Sequence, residues 1–268
     1  MNLKKIVAGA IAGPLLAASA AAAVAESPLE YEIDGKPFSS ELVRAASKGS
    51  LSSSEGVVGV LLTPDWTGIN EHARLQARKL AQQGAVVLIV DLYGRGIRPQ
   101  DDSQAHAASA PLLADRMEVR RRMRAALSAL QQQLPAGVPV KALGFSFGAM
   151  ASLELGRGGA ALSGVAVVWP VLHNPDAASA RHISGPVLVI QGTRDGFSTL
   201  AQVQSFAEEM DAAGRRYEIV LFGGVKHGFT IPGLPNRPDH PLATDPAASD
   251  ATDIRLLQFL LNKGWARG

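Results

Sequence analysis

Three residues, far apart in the chain, have the types needed for acyl transfer. Ser146 lies in Gly144-Phe145-Ser146-Phe147-Gly148, a G-x-S-x-G pentapeptide. Asp195 closes Gly192-Thr193-Arg194-Asp195, and His227 sits in Lys226-His227-Gly228. A serine hydroxyl is a weak nucleophile at neutral pH and needs a base, which in turn needs an acid to orient it. In that chemistry Ser146 attacks a carbonyl, His227 takes its proton and later returns one, and Asp195 holds the imidazole tautomer. The N–H of Phe147, next to the serine, supplies one oxyanion donor. The chain has no cysteine, so no thiolate competes for the role. The plainer alternatives are a glycine-rich turn with an incidental serine, and an ordinary Asp195-Gly196 turn.

These residues need a scaffold that brings three loops to one place. Continuous apolar runs at 57–62, 85–90, 138–143, 164–169, 186–190 and 217–222 read as strands buried on both faces. Helical windows at 71–82, 113–132, 147–155, 200–212 and 251–261 alternate with them. This alternation predicts an α/β fold, a mostly parallel twisted sheet of seven or eight strands with helices on both faces. Segments 31–33 and 38–43 read as an opening hairpin around Asp34-Gly35. Ser146 then falls on a strand–turn–helix elbow, and Asp195 and His227 lie just beyond the C-terminal ends of later strands, where open α/β sheets place their sites. Segments 97–111 and 230–246 read as long loops, the first a possible lid. The other histidines are His72, His106, His173, His182 and His240; none lies in such a slot, and most are assigned to the surface.

Composition limits the function classes. The 268 residues are 47% hydrophobic and 19% charged, enough apolar material for a sizeable core. Residues 1–25 read as a secretory signal peptide: Lys4 and Lys5, an alanine-rich apolar stretch, then Ala23-Val24-Ala25 before Glu26. Gly9, Gly13 and Pro14 make that stretch a poor membrane span, the alternative reading. Cleavage near Ala25 leaves 24 basic and 24 acidic residues. A neutral chain has no general attraction to phosphate backbones or anionic membranes. The expectation is an exported, periplasmic or secreted monomer without nucleic-acid partners or stable membrane association. No HExxH or H-x-H pair occurs, and no G-x-G-x-x-G follows the first strand. No metal or cofactor is expected.

The order Ser146…Asp195…His227 is that of α/β-hydrolases. Over nearly all of residues 26–268 the chain resembles the dienelactone hydrolase family. The matching stretches are Tyr31-Glu32-Ile33-Asp34-Gly35, Pro64-Asp65-Trp66-Thr67-Gly68-Ile69-Asn70, Asp91-Leu92-Tyr93-Gly94-Arg95-Gly96, the Ser146 elbow, Gly192-Thr193-Arg194-Asp195 and Lys226-His227-Gly228-Phe229-Thr230. The family usually carries cysteine where this chain has Ser146. The resemblance implies that Trp66 gives the second oxyanion N–H and a pocket wall. It places Asp65 where family members carry an acid linked to thiol activation. It also puts Arg95 where one of two arginines grips a substrate carboxylate. The second arginine is missing, its slot reading Ile231-Pro232.

The expected activity is cofactor-free hydrolysis of a small-molecule carboxylic ester or lactone through an acyl-serine. A thioesterase or amidase on the same three residues, and a non-catalytic binding module of the same fold, are the alternatives.

Overall fold

In the computed structural model, residues 23–46 and 56–261 are described. Eight strands form one sheet in the order β1-β2-β4-β3-β5-β6-β7-β8. They are β1 (Val24–Ile33), β2 (Lys36–Ala45), β3 (Val58–Thr63), β4 (Ala85–Ile89), β5 (Val140–Phe145), β6 (Val165–Val168), β7 (Val187–Gly192) and β8 (Tyr217–Phe222). β1 and β2 form an antiparallel hairpin, and β2 pairs antiparallel with β4; every pairing from β4 to β8 is parallel. The hairpin runs longer than the sequence predicts, through Val24↔Ala45. The signal-peptide reading falls mostly outside the described residues, although Val24 and Ala25 belong to β1.

The central strands alternate between two apolar layers, as a pleat with period two requires. Leu61, Leu88 and Val167 face one layer with α3 (Arg116–Gln131), α4 (Phe147–Arg157) and α5 (Leu200–Ala212). Val60, Leu62, Val87 and Ile89 face the other, with α1 (Glu71–Ala81) and α6 (Pro246–Leu260). Because both faces are covered, the strands read as unbroken apolar runs. Among the described residues no helix is long and apolar enough to cross a membrane.

Two boundaries differ from the sequence reading. Most of the segment read as a loop at 97–111 belongs to a helix, α2 (Asp102–Ala114). Its buried residues, Ala105, Ser109 and Leu112, keep helical spacing but include only one large apolar side chain. α2 stops at Asp115, whose carboxylate accepts from Glu118 N–H at 3.0 Å and so caps α3. The single helix expected over 113–132 is therefore two. α6 also starts five residues before its predicted beginning: Asp245 caps it through Ala248 N–H, and Pro246 takes the first helical position, where its missing N–H costs nothing.

Candidate active site

The elbow depends on side chains that are absent. Ser146 follows β5 directly and holds φ +50°, ψ −116°, a strained backbone for a residue with a Cβ. The strand before it and α4 after it pack tightly around this turn. A Cβ on Gly148 would lie 2.0 Å from the Pro64 carbonyl oxygen, so only glycine lets α4 touch the end of β3. That contact sets the loop carrying Asp65 and Trp66 beside the serine. The Ser146 backbone is also anchored to the strand end beyond β6: its N–H donates to Val168 O, and its carbonyl accepts from Val171 N–H.

The acid and histidine loops meet in a similar way. A Cβ on Gly192 would lie 2.3 Å from the Val225 carbonyl, and Arg194 N–H donates to that same oxygen. Asp195 Oδ1 accepts from the N–H groups of Phe197 and Ser198, at 2.8 and 3.0 Å. Asp195 Oδ2 lies 2.7 Å from His227 Nδ1, and His227 Nε2 lies 2.9 Å from Ser146 Oγ. Both side chains of the acid–histidine pair are buried. A carboxylate oriented by two backbone N–H groups favours the Nδ1–H tautomer, which leaves Nε2 free to accept a proton from the hydroxyl. This constellation can generate an alkoxide in step with attack on a carbonyl.

The remaining residues singled out from sequence fall into two groups. Phe147 opens α4, and the N–H groups of a helix's first turn have no acceptor within the helix. Trp66 lies in the adjoining loop, its carbonyl accepting from Tyr93 Oη–H at 2.7 Å. Burial pushes the Tyr93 phenol pKa up, with Asp65 and Asp91 adding to the effect, so the hydroxyl stays a donor. The Tyr93 ring stacks on Phe147 at 6.1 Å, so one side chain touches both candidate oxyanion segments. Asp65 is buried and turned into its own loop: Oδ1 accepts from Thr67 N–H and Oγ1–H, and Oδ2 accepts from Asn70 Nδ2–H. Asn70 in turn caps α1. Arg95 stands apart from these residues. Its guanidinium pairs with Glu30 of β1 and is about half exposed, so its charge is engaged at the hairpin.

Sequence reasoning missed several residues here. His106, His173 and His182 are exposed, in line with the assignment of most other histidines to the surface, but His72 is buried, at 7% exposed. It shares a helical face with Gln76 and Leu80, and that spacing was the available signal. Trp169 packs edge-on against His227 at 4.9 Å, and Phe197 lies 4.7 Å away on a tilted ring. Phe197 is 54% exposed.

Known proteins share this fold. The sequence profile of the dienelactone hydrolase family matches residues 47–261. A protein named m3DLH is similar to the chain at 27% identity and a TM-score of 0.80, over 91% of this chain and 99% of its own. A dienelactone hydrolase-like promiscuous phosphotriesterase from metagenomic libraries is similar at 27% identity and 0.80, over 90% and 98%. A cold-adapted esterase from an Arctic intertidal metagenomic library shares the fold at 20% identity and 0.65, over 88% and 94%. No curated protein matches the sequence. With the fold, the three converging loops and the family profile all in agreement, the chain belongs to the dienelactone hydrolase family and is a hydrolase acting on ester bonds.

Proposed function

We propose that this protein is an exported serine hydrolase that cleaves a carboxylic ester or lactone through an acyl-Ser146 intermediate. The observation that carries the reading is the continuous line Ser146 Oγ–His227–Asp195, with links of 2.9 and 2.7 Å. The Ser146 proton passes to His227 Nε2 as Oγ bonds to the carbonyl carbon. The oxyanion is received by the N–H groups of Phe147 and Trp66. The tetrahedral intermediate collapses as the carbon–oxygen bond to the leaving group breaks, and that oxygen takes the proton from Nε2. Water then gives a proton to Nε2, attacks the acyl carbon and expels Ser146, whose oxygen recovers the proton. Asp195 stays ionised throughout and stabilises the imidazolium.

Serine makes His227 more important than it would be beside a cysteine, because an alkoxide has to be generated at the moment of attack. Asp65 is then a loop-holding residue: all of its hydrogen bonds serve the turn that presents Trp66. The Arg95–Glu30 pair argues against a carboxylate-binding arginine. Neutral esters and lactones are the preferred substrates.

A fluorophosphonate probe should label the wild type and not Ser146→Ala, and that variant should lose about 10⁴-fold or more in kcat. Labelling or turnover retained in Ser146→Ala would refute the nucleophile. A panel of p-nitrophenyl esters, thioesters, anilides and small lactones ranks leaving groups. A phosphotriester belongs on it because of the 27% identical neighbour. Export rests on the sequence of residues 1–25. N-terminal sequencing of periplasmic or secreted material should begin at Glu26.

A further inference from the structure

The hydrogen bonds of His227 hold its two nitrogens between Asp195 Oδ2 and Ser146 Oγ, and the Cβ–Cγ bond ties the ring to the backbone. Packing against the ring limits the small tilts that these restraints still allow. Phe197 is largely exposed and can yield, so it is a soft wall. Trp169 is 1% exposed and is the firm wall.

Trp169 is itself held in an unusual conformation. It follows β6 directly with φ +36°, outside the ordinary range for a bulky residue. Its backbone N–H donates to Ile190 O at 2.8 Å. Its indole Nε1–H donates to Thr230 Oγ1 at 2.9 Å. An indole nitrogen is only a donor, so Thr230 Oγ1 must accept, which leaves the hydroxyl hydrogen to be placed. The partner is His72 Nε2, 3.0 Å away. Burial pushes the His72 pKa down to about 4, the field of Asp65 opposing and that of Lys79 adding slightly. His72 is therefore a neutral ring at ordinary pH, and in the tautomer that carries its hydrogen on Nδ1 the Nε2 atom accepts that hydrogen. The direction Trp169 to Thr230 to His72 satisfies all three groups. Thr230 is 3% exposed and sits three residues after His227, on the turn that Ile231 N–H closes onto Gly228 O.

We infer that Thr230, a residue with no chemical step of its own, is a positioning residue for His227: its hydroxyl locks the Trp169 indole against the imidazole, with His72 as the terminal acceptor. The loop that carries the base thereby clamps the wall that steadies it, joining the ends of β6 and β8 with the start of α1. This rests on the Ser146–His227–Asp195 reading.

The test is a pair of nearly isosteric variants of the full chain. Thr230→Val removes the hydroxyl and leaves a buried indole N–H and the His72 nitrogen unpaired. It should lower kcat about tenfold with KM within about twofold, and should broaden or shift the low-field proton resonance of the His227–Asp195 hydrogen bond. Thr230→Ser keeps the hydroxyl and should restore both. Trp169→Phe, which keeps a ring but loses the N–H, should reproduce the kcat loss and covers the case in which Thr230→Val does not fold. Wild-type kcat and an unchanged resonance in Thr230→Val, or full activity in Trp169→Phe, overturn the inference. Ser146→Ala, assayed in parallel, separates the two claims. If it is inactive while Thr230→Val is normal, only the positioning role falls; if it is active, the triad reading falls first.

Discussion

The three proposed catalytic side chains differ in how they are held. Asp195 is fixed by two backbone N–H groups of its own turn, so its orientation is local and cheap to maintain. His227 depends on groups from three elements. Ser146 depends on a strained backbone held by its neighbours. A residue singled out from sequence can be engaged elsewhere, and Arg95 is the clearest case, since its charge is already answered by Glu30 at the exposed hairpin. Arg95→Ala should therefore leave the ratio of KM for anionic and neutral esters within about twofold of wild type, because removing an exposed ion pair changes little. A selective rise in KM for anionic esters would restore the carboxylate-binding role. Sequence singled out the three proposed catalytic residues because each stands just after an apolar run. It did not identify Trp169 or Thr230, whose importance comes from partners 61 residues apart in the chain.

Elements meet here by close backbone approach. Gly148 of α4 touches the β3 end and Gly192 of β7 touches Val225, so the serine, oxyanion and histidine loops converge without side chains between them. Gly148→Ala should lower unfolding free energy by about 2 kcal/mol or more, the range of overpacking in a close-packed interior. Urea unfolding measures this directly, and a loss under about 0.5 kcal/mol would mean that α4 can shift away from β3 at little cost. Element types were readable where apolar residues were large and periodic, as in β3, β4 and α3. α2 was not, because its inward positions are mainly Ala105 and Ser109, too small to stand out from polar neighbours. The break at Asp115 was hidden for a related reason: helical spacing continues on both sides, and a carboxylate that caps one helix looks in sequence like any exposed acid.

At the scale of the molecule, the relay behind His227 ties site integrity to pH. His72 titrates from about 4 when folded, against 6.5 for a free imidazole. Between those values the unfolded chain binds a proton that the folded chain refuses. Its contribution is therefore full above pH 6.5 and is lost as pH falls toward 4, amounting to at most about 3 kcal/mol. Comparing urea unfolding at pH 7 and 4.5, the wild type should lose about 2 kcal/mol more stability than His72→Gln, which has no charge to gain. Equal losses would show that His72 is not the group responsible.

The sequence by itself determined the layered fold, the strand-end positions of Ser146, Asp195 and His227, and the family. Those follow from local patterns: buried strands need runs of apolar residues, and a sharp elbow needs glycines beside the serine. Only the tertiary structure decided which charges were already paired, which small residues line a helix, and that His72 is buried. Pairing and burial depend on residues from distant segments, so no local window contains them. Thr230, Trp169 and His72 come from three different elements and meet only when the sheet is assembled.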